Sequence, residues 1–171
     1  VTNPFSATGG GPTSSRGTRI LGSVVLVGIA VTAYLAFVAS PPDRVQGESV
    51  RILYLHVPSV TVAYLACLVT TVASGVWLKR RTEWWDLVAS ASAEVASVLT
   101  AVTLPSGMVW GEATWGTWWE WDARLTSTLF LFLLLVGYQG LRAATPDREV
   151  RGRRSAIVGL LLVPNVIVVN R

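Results

Sequence analysis

Apolar runs of fourteen to twenty-three residues, parted by short charged clusters, leave this chain few ways to fold. They cover residues 20–39, 60–78, 87–109, 125–141 and 156–169. A helix needs about 20 apolar residues to cross a bilayer, and lipid offers the backbone no hydrogen-bond partner, so such runs must satisfy their amides as helices. With 51% hydrophobic and 14% charged residues, the sequence is too apolar for an ordinary soluble domain. It predicts an all-α, polytopic membrane bundle of about five spanning helices. Residues 1–19, rich in Gly, Ser, Thr and Pro, read as a flexible cytoplasmic tail, and 20–171 as the membrane domain. The run 20–39 has a small-residue exit at Ala39-Ser40, as a signal peptide would, but exceeds an h-region of about 7–15 residues and is read as an uncleaved span. Pro41 and Pro42 end it.

The basic residues set the expected orientation, because Lys and Arg collect in cytoplasmic loops. A cytoplasmic N-terminus puts Arg16, Arg19, Lys79, Arg80, Arg81, Arg142, Arg148, Arg151, Arg153 and Arg154 inside. Only Arg44, Arg51 and Arg124 then sit in the extracytoplasmic loops, about 40–58 and 106–124. The net charge of +4 is therefore spent on loops beside lipid and gives no stripe for nucleic acid.

The outer loops hold the residues with chemical interest. Trp115-Gly116-Thr117-Trp118-Trp119-Glu120-Trp121-Asp122-Ala123-Arg124-Leu125-Thr126 contains four of the eight tryptophans. An indole offers a broad rigid face and one donor, which suits a flat, mostly apolar ligand. Were 115–122 helical, Trp115, Trp118, Trp119 and Asp122 would share one face as an aromatic shelf. A bilayer aromatic belt is the plainer reading of tryptophans beside apolar spans. His56 is the single histidine. It is either a hydrogen-bonded interfacial side chain or a metal ligand, and the expected topology puts it on the same side as the tryptophans. Pro58 is expected to open the second span at its first turn.

Two stretches carry a family resemblance. Residues 115–126 match the tryptophan-rich WGxWWxWDxRLT signature, and Arg51-Ile52-Leu53-Tyr54-Leu55-His56-Val57-Pro58 resembles the segment that presents an axial histidine before a second span. Together they resemble the heme exporter protein C (CcmC) family of cytochrome c maturation over roughly residues 20–171. The resemblance implies a binding component, and no enzyme, of the cell inner membrane. It would hold heme b non-covalently at the extracytoplasmic face and deliver it to the heme chaperone CcmE, beside the ABC-type subunits CcmA and CcmB and the small protein CcmD. His56 is then the expected iron ligand, with Trp115, Gly116, Trp118, Trp119, Trp121 and Asp122 around the macrocycle and Arg51 and Arg124 on its propionates. Arg124 has a competing local partner in Glu120. The family usually has six spans and a second axial histidine in a later outer loop, which makes this sequence look like a fragment. Its CcsA-type synthetase relatives, and a structural subunit without heme, are the alternatives.

Other positions read more simply. Cys67, the one cysteine, lies in an apolar run and is expected to be a buried small hydrophobe. Glu94 lies inside a span, where acids are functional or paired, and a hydrogen bond to a neighbouring helix or partner subunit is expected. Trp84 and Trp85 look like interface anchors. No GxxxxGK[ST], GxSxG or HExxH occurs, so any ATP-driven step must belong to another subunit.

Overall fold

A computed structural model describes residues 15–169 of the chain. Those residues are almost wholly helical, with no strand beyond an isolated bridge between Asp43 and Gly47, and five helical segments are long and apolar enough to cross a membrane. The chain divides into two compact units, Val1–Pro41 and Pro42–Arg171.

The first unit holds one span. Helix α1 runs Arg16–Tyr34 and closes in a π-helical turn, Leu35–Ala39. Ser15 caps it by accepting the Thr18 N–H at 3.2 Å. Residues 1–14 of the expected tail lie outside the described residues. Residues 15–19 are the cap and first turn of α1, because a serine cap starts the helix ahead of its apolar run.

The second unit is a bundle of α2 (Val50–Arg80), α3 (Glu83–Trp115), α4 (Ala123–Ala144), α5 (Arg148–Leu160) and α6 (Leu162–Val169). Helices α5 and α6 form one span with a break at Leu161. Helices α2 and α3 are an antiparallel pair joined through Arg81 and Thr82. They meet along small residues, Ala63, Ala66, Cys67 and Thr70 on one side and Ala89, Ala93, Ala96 and Thr100 on the other, all buried. Small side chains let two backbones approach closely, which is how membrane helices gain packing without a hydrophobic drive. The hydroxyls in this seam are satisfied locally: Thr70 donates to the Ala66 carbonyl at 2.9 Å and lies 2.8 Å from the Ser92 hydroxyl. Leu131, Leu135 and Tyr138 of α4 and Leu162 of α6 complete the core around Cys67. Against α2, α5 presents glycines: a Cβ at Gly152 would run into the Trp77 indole and one at Gly159 into the Ser74 hydroxyl.

Glu94 is exposed, away from this seam, and makes no hydrogen bond or ion pair among the described residues. The expected bond to another helix of this chain is therefore not formed. The helices also outrun their apolar cores. Helix α2 has 31 residues, roughly 46 Å, against the ~30 Å of a hydrocarbon layer. Pro58 lies inside it rather than at its start, since Ile52 to Leu55 already pack as helix and a proline removes only one ladder bond. The charged segment Arg148–Arg154, expected as loop, is the first half of α5, started by Asp147 accepting the Val150 N–H at 2.8 Å.

Candidate functional site

The chain end of α2 that carries His56 meets the end of α3 and the start of α4 around an open-sided cavity of about 420 Å³. His56, Trp115, Asp122 and Arg124 line it, so four of the sequence-expected residues come together there. Trp110, Tyr64, Gly107 and Leu125 add apolar and aromatic wall.

The half-buried His56 ring is held from α3. Its Nδ1 lies 3.1 Å from the Ser106 hydroxyl oxygen. Ser106 has one proton, and it is shared between the carbonyls of Val102 at 2.7 Å and Thr103 at 3.0 Å. With that proton spent on the carbonyls the hydroxyl is left to accept, an assignment from the network that puts the histidine proton on Nδ1 and a lone pair on Nε2. The ring also packs closely on α3: a Cβ at Gly107 would stand 3.0 Å from His56 Cε1, so any larger residue would make the imidazole give way by a few tenths of an ångström. Ser106 and Gly107 were invisible as site residues in the sequence, because they lie fifty positions from the histidine they position.

Residues 116–122 are irregular backbone, so Trp115, Trp118, Trp119 and Asp122 do not share one helical face. Gly116 ends α3 in the left-handed conformation, φ +75°, with its N–H on the Glu112 carbonyl at 2.8 Å, a conformation that favours glycine. Asp122 starts α4, its carboxylate accepting the Leu125 N–H at 2.6 Å, as expected for an acid heading that span. The indoles pair edge to face instead: Trp110 with Trp115 in the last turns of α3 at 5.0 Å, and Trp119 with Trp121 between the caps at 5.4 Å. Trp115 sits over Gly111, where a Cβ would come within 3.4 Å of its ring. Trp118, 56% exposed, lines a small adjoining recess that shares Gly107, Trp115, Asp122 and Leu125 with the main cavity. Trp119 and Trp121 lie outside both, Trp121 being 78% exposed and the Trp119 Nε1 a buried donor without a partner. Gly116 lines neither cavity.

The two expected cations differ. Arg124 stands exposed on the cavity rim and forms no ion pair among the described residues, and because 116–122 is not helical the local pairing with Glu120 does not arise. Arg51 lies outside the cavity and pairs with Glu48 at 2.9 Å.

The preceding loop braces the aromatic wall. Asp43 Oδ1 accepts the backbone N–H groups of Gln46 at 2.9 Å and Val45 at 2.8 Å, and these bonds hold its carboxyl below the usual carboxylate range. Gly47, at φ +57°, lets the turn close. The turn offers Gln46, whose Oε1 accepts the Trp110 indole N–H at 3.1 Å. No group of three or more His, Cys, Asp or Glu that could hold a metal occurs among the described residues, so a metal here would have to bring most of its own ligands.

Comparison with known proteins follows the same residues. A sequence model described as "Heme exporter protein C" matches residues 11–170. Curated proteins of that name are similar: that of Paracoccus denitrificans (strain Pd 1222) is 45% identical over 110 residues, covering 64% of this chain and 46% of its own. That of Escherichia coli (strain K12) is 39% identical over 131 residues, 77% of this chain and 54% of its own. That of Haemophilus influenzae is 36% identical over 149 residues, 85% and 57%. The chain spans about half the length of the curated relatives it matches.

Proposed function

This chain belongs to the heme exporter protein C family, and from that premise we propose that it is a heme-binding membrane component of cytochrome c maturation. Its cargo is heme b, held non-covalently in the cavity between α2, α3 and α4. The observation that carries the reading is the His56–Ser106 contact on the cavity wall, and the tautomer assigned to it leaves Nε2 as the unprotonated nitrogen. An imidazole in that tautomer is the usual protein ligand for heme iron, and the hydrogen bond on its far nitrogen fixes ring orientation and raises basicity.

The rest of the donor set suits the same group. A heme brings four equatorial nitrogens, so one or two protein ligands suffice where no metal cluster exists. Its apolar faces suit Trp110, Trp115 and Leu125, and the cavity volume falls in the range of ligand sites, about 300–1,000 Å³. Its propionates suit Arg124, a guanidinium fork with no competing carboxylate partner among the described residues. Arg51, on the same helix as His56, is already neutralised by Glu48 and would have to leave it to meet a propionate. The exposed indoles of Trp118 and Trp121 and the unpartnered Trp119 donor are the outer face of this site, placed where a receiving protein could meet the ligand.

The membrane placement follows from charge. Arg81, at the far end of α2, stands about 37 Å from His56 along the helix, amid Arg142, Arg148 and Arg151. The positive-inside bias supports a cytoplasmic position for that end and an extracytoplasmic one for the heme site, and the family supports the cell inner membrane as the setting. Heme then passes to a CcmE-type chaperone, with CcmA- and CcmB-type subunits supplying any ATP-driven step and a CcmD-type protein completing the assembly. The test is purification from heme-replete cells. The native chain should carry a Soret band that His56→Ala loses while remaining folded; an equal Soret band in both would defeat the reading.

A further inference from the structure

At the end of the α2–α5 bundle away from His56 lies a second cavity, of about 370 Å³. Four helix termini build it: Trp77 and Arg81 from the end of α2, Glu83 and Asp86 from the first turn of α3, Arg142 from α4, and Arg148, Glu149 and Arg151 from the start of α5. Four guanidinium groups thus face three carboxylates. Two of the pairings are committed. Arg142 grips both Asp86 oxygens, at 2.6 and 2.9 Å, with both side chains largely buried, and Arg148 meets Glu83 at 2.5 Å. The third is loose: Arg81 reaches Glu149 only at 3.6 Å, with both side chains exposed, while its guanidinium lies 4.6 Å from the Trp77 ring centroid. Arg151 has no carboxylate partner among the described residues, and its Nε is a buried donor with nothing to bond. Arg151 thus lines the cavity with a charge that no carboxylate among the described residues offsets, and an anion entering there would meet its guanidinium.

The walls say which anion. The cavity lies where the apolar spans give way to charge. Trp77 and Leu87 give it an apolar floor beneath the arginines. We infer that this cavity is a binding site for one phosphate group, taken by Arg151 and by Arg81 as it lets go of Glu149, with Arg142–Asp86 as a fixed strut. A phosphodiester on an anionic lipid fits both the charge and the apolar floor, because basic pockets between spans on this side of a membrane recognise such headgroups. A free phosphate ester would share the same contacts without using the floor. The site is independent of heme binding, since none of its residues lines the His56 cavity, and it takes from the proposed function only the side of the membrane that it faces.

Native mass spectrometry of the delipidated full chain tests this, with phosphatidylglycerol, phosphatidylcholine or inorganic phosphate added in turn. The native chain should retain one phosphatidylglycerol well above phosphatidylcholine. Arg151→Gln should reduce that retention roughly fivefold, the scale of one basic residue at an anionic surface. Arg154→Gln removes the same charge from the same helix outside the cavity and should change nothing. Should inorganic phosphate bind in an Arg151-dependent way while the two lipids bind alike, the phosphate site stands and its source is a soluble ester. Equal losses in the two variants would reduce the effect to surface charge and overturn the site, as would a native chain that binds neither phosphatidylglycerol selectively nor inorganic phosphate.

Discussion

Replacing Ser106 with alanine isolates what the α3 hydroxyl does for the histidine. The hydroxyl proton is already spent on the Val102 and Thr103 carbonyls, so the variant removes one acceptor from His56 Nδ1 and little else. Losing a neutral hydrogen bond costs about 0.5–1.5 kcal/mol, near fivefold in affinity, if only the contact matters. The tautomer matters too: without the Ser106 acceptor only the Thr103 carbonyl remains beside the ring, and the proton is less firmly held away from Nε2, the nitrogen that the proposed function assigns to iron. Removing the outer-shell partner of a metal-bound histidine typically weakens binding by roughly 10- to 100-fold, and a hydroxyl at 3.1 Å on a half-buried ring belongs at the lower end, about tenfold. The fold should hardly notice, because a side-chain bond between membrane helices is worth only about 0.6 kcal/mol. Soret titration with hemin in detergent, beside thermal unfolding of the same samples, reads both quantities. Ser106→Ala should bind about tenfold more weakly at nearly unchanged unfolding temperature, and Ser106→Thr should recover native affinity. Native affinity in Ser106→Ala, or equal weakness in Ser106→Thr, would refute the orienting role.

Three further outcomes follow from the same structure. Gly107→Ala places a methyl 3.0 Å from His56 Cε1 and Gly107→Val adds branches to it, so hemin affinity should fall stepwise across the pair at constant helix content, with an overpacking cost of roughly 1–3 kcal/mol; affinities that do not fall in that order contradict the packing. Arg142→Met strands the Asp86 carboxylate and should cost roughly 3 kcal/mol of unfolding free energy in micelles, whereas Arg142→Met with Asp86→Asn should recover most of it; equal losses would deny the coupling. The Asp43 turn rests on a carboxylate whose folded pKa is depressed, so its stabilisation is full above the ordinary aspartate value of about 3.9 and is lost only as pH falls through the lower folded value. Amide resonances of Val45 and Gln46 should accordingly hold their positions through pH 3.9 and move below it, and an earlier transition would contradict the turn.

The spans were legible in the sequence because hydropathy over about 20 residues depends on no other part of the chain. Helix ends were partly legible: Gly116 and Asp122 are cap residues by type, and reading them as a C-cap and an N-cap would have replaced the helical shelf by two helices and a short link. Asp147 carried the same signal ahead of α5, outweighed there by a run of arginines that resembles loop. Pro58 misled because the proline rule weighs one lost ladder bond and takes no account of the turns already formed on its N-terminal side. His56, Trp115, Asp122 and Arg124 were legible as one site because topology alone puts them at one end of the bundle. What positions them was not. Gly107 and Ser106 act through helix packing across fifty residues, and the Arg151 cavity requires four helix termini to converge.

One labelling experiment goes straight to the ligand. His56 is the single histidine, so a chain grown with ¹⁵N-histidine carries one labelled imidazole and needs no assignment. Without heme, the spectrum should show a neutral ring with its proton on Nδ1 and a bare Nε2; with ferric hemin, the Nε2 resonance should be lost to paramagnetic shift and broadening while the chain stays folded. A ring protonated on Nε2 in the first sample, or an Nε2 signal that survives saturating hemin in the second, would contradict iron ligation by His56.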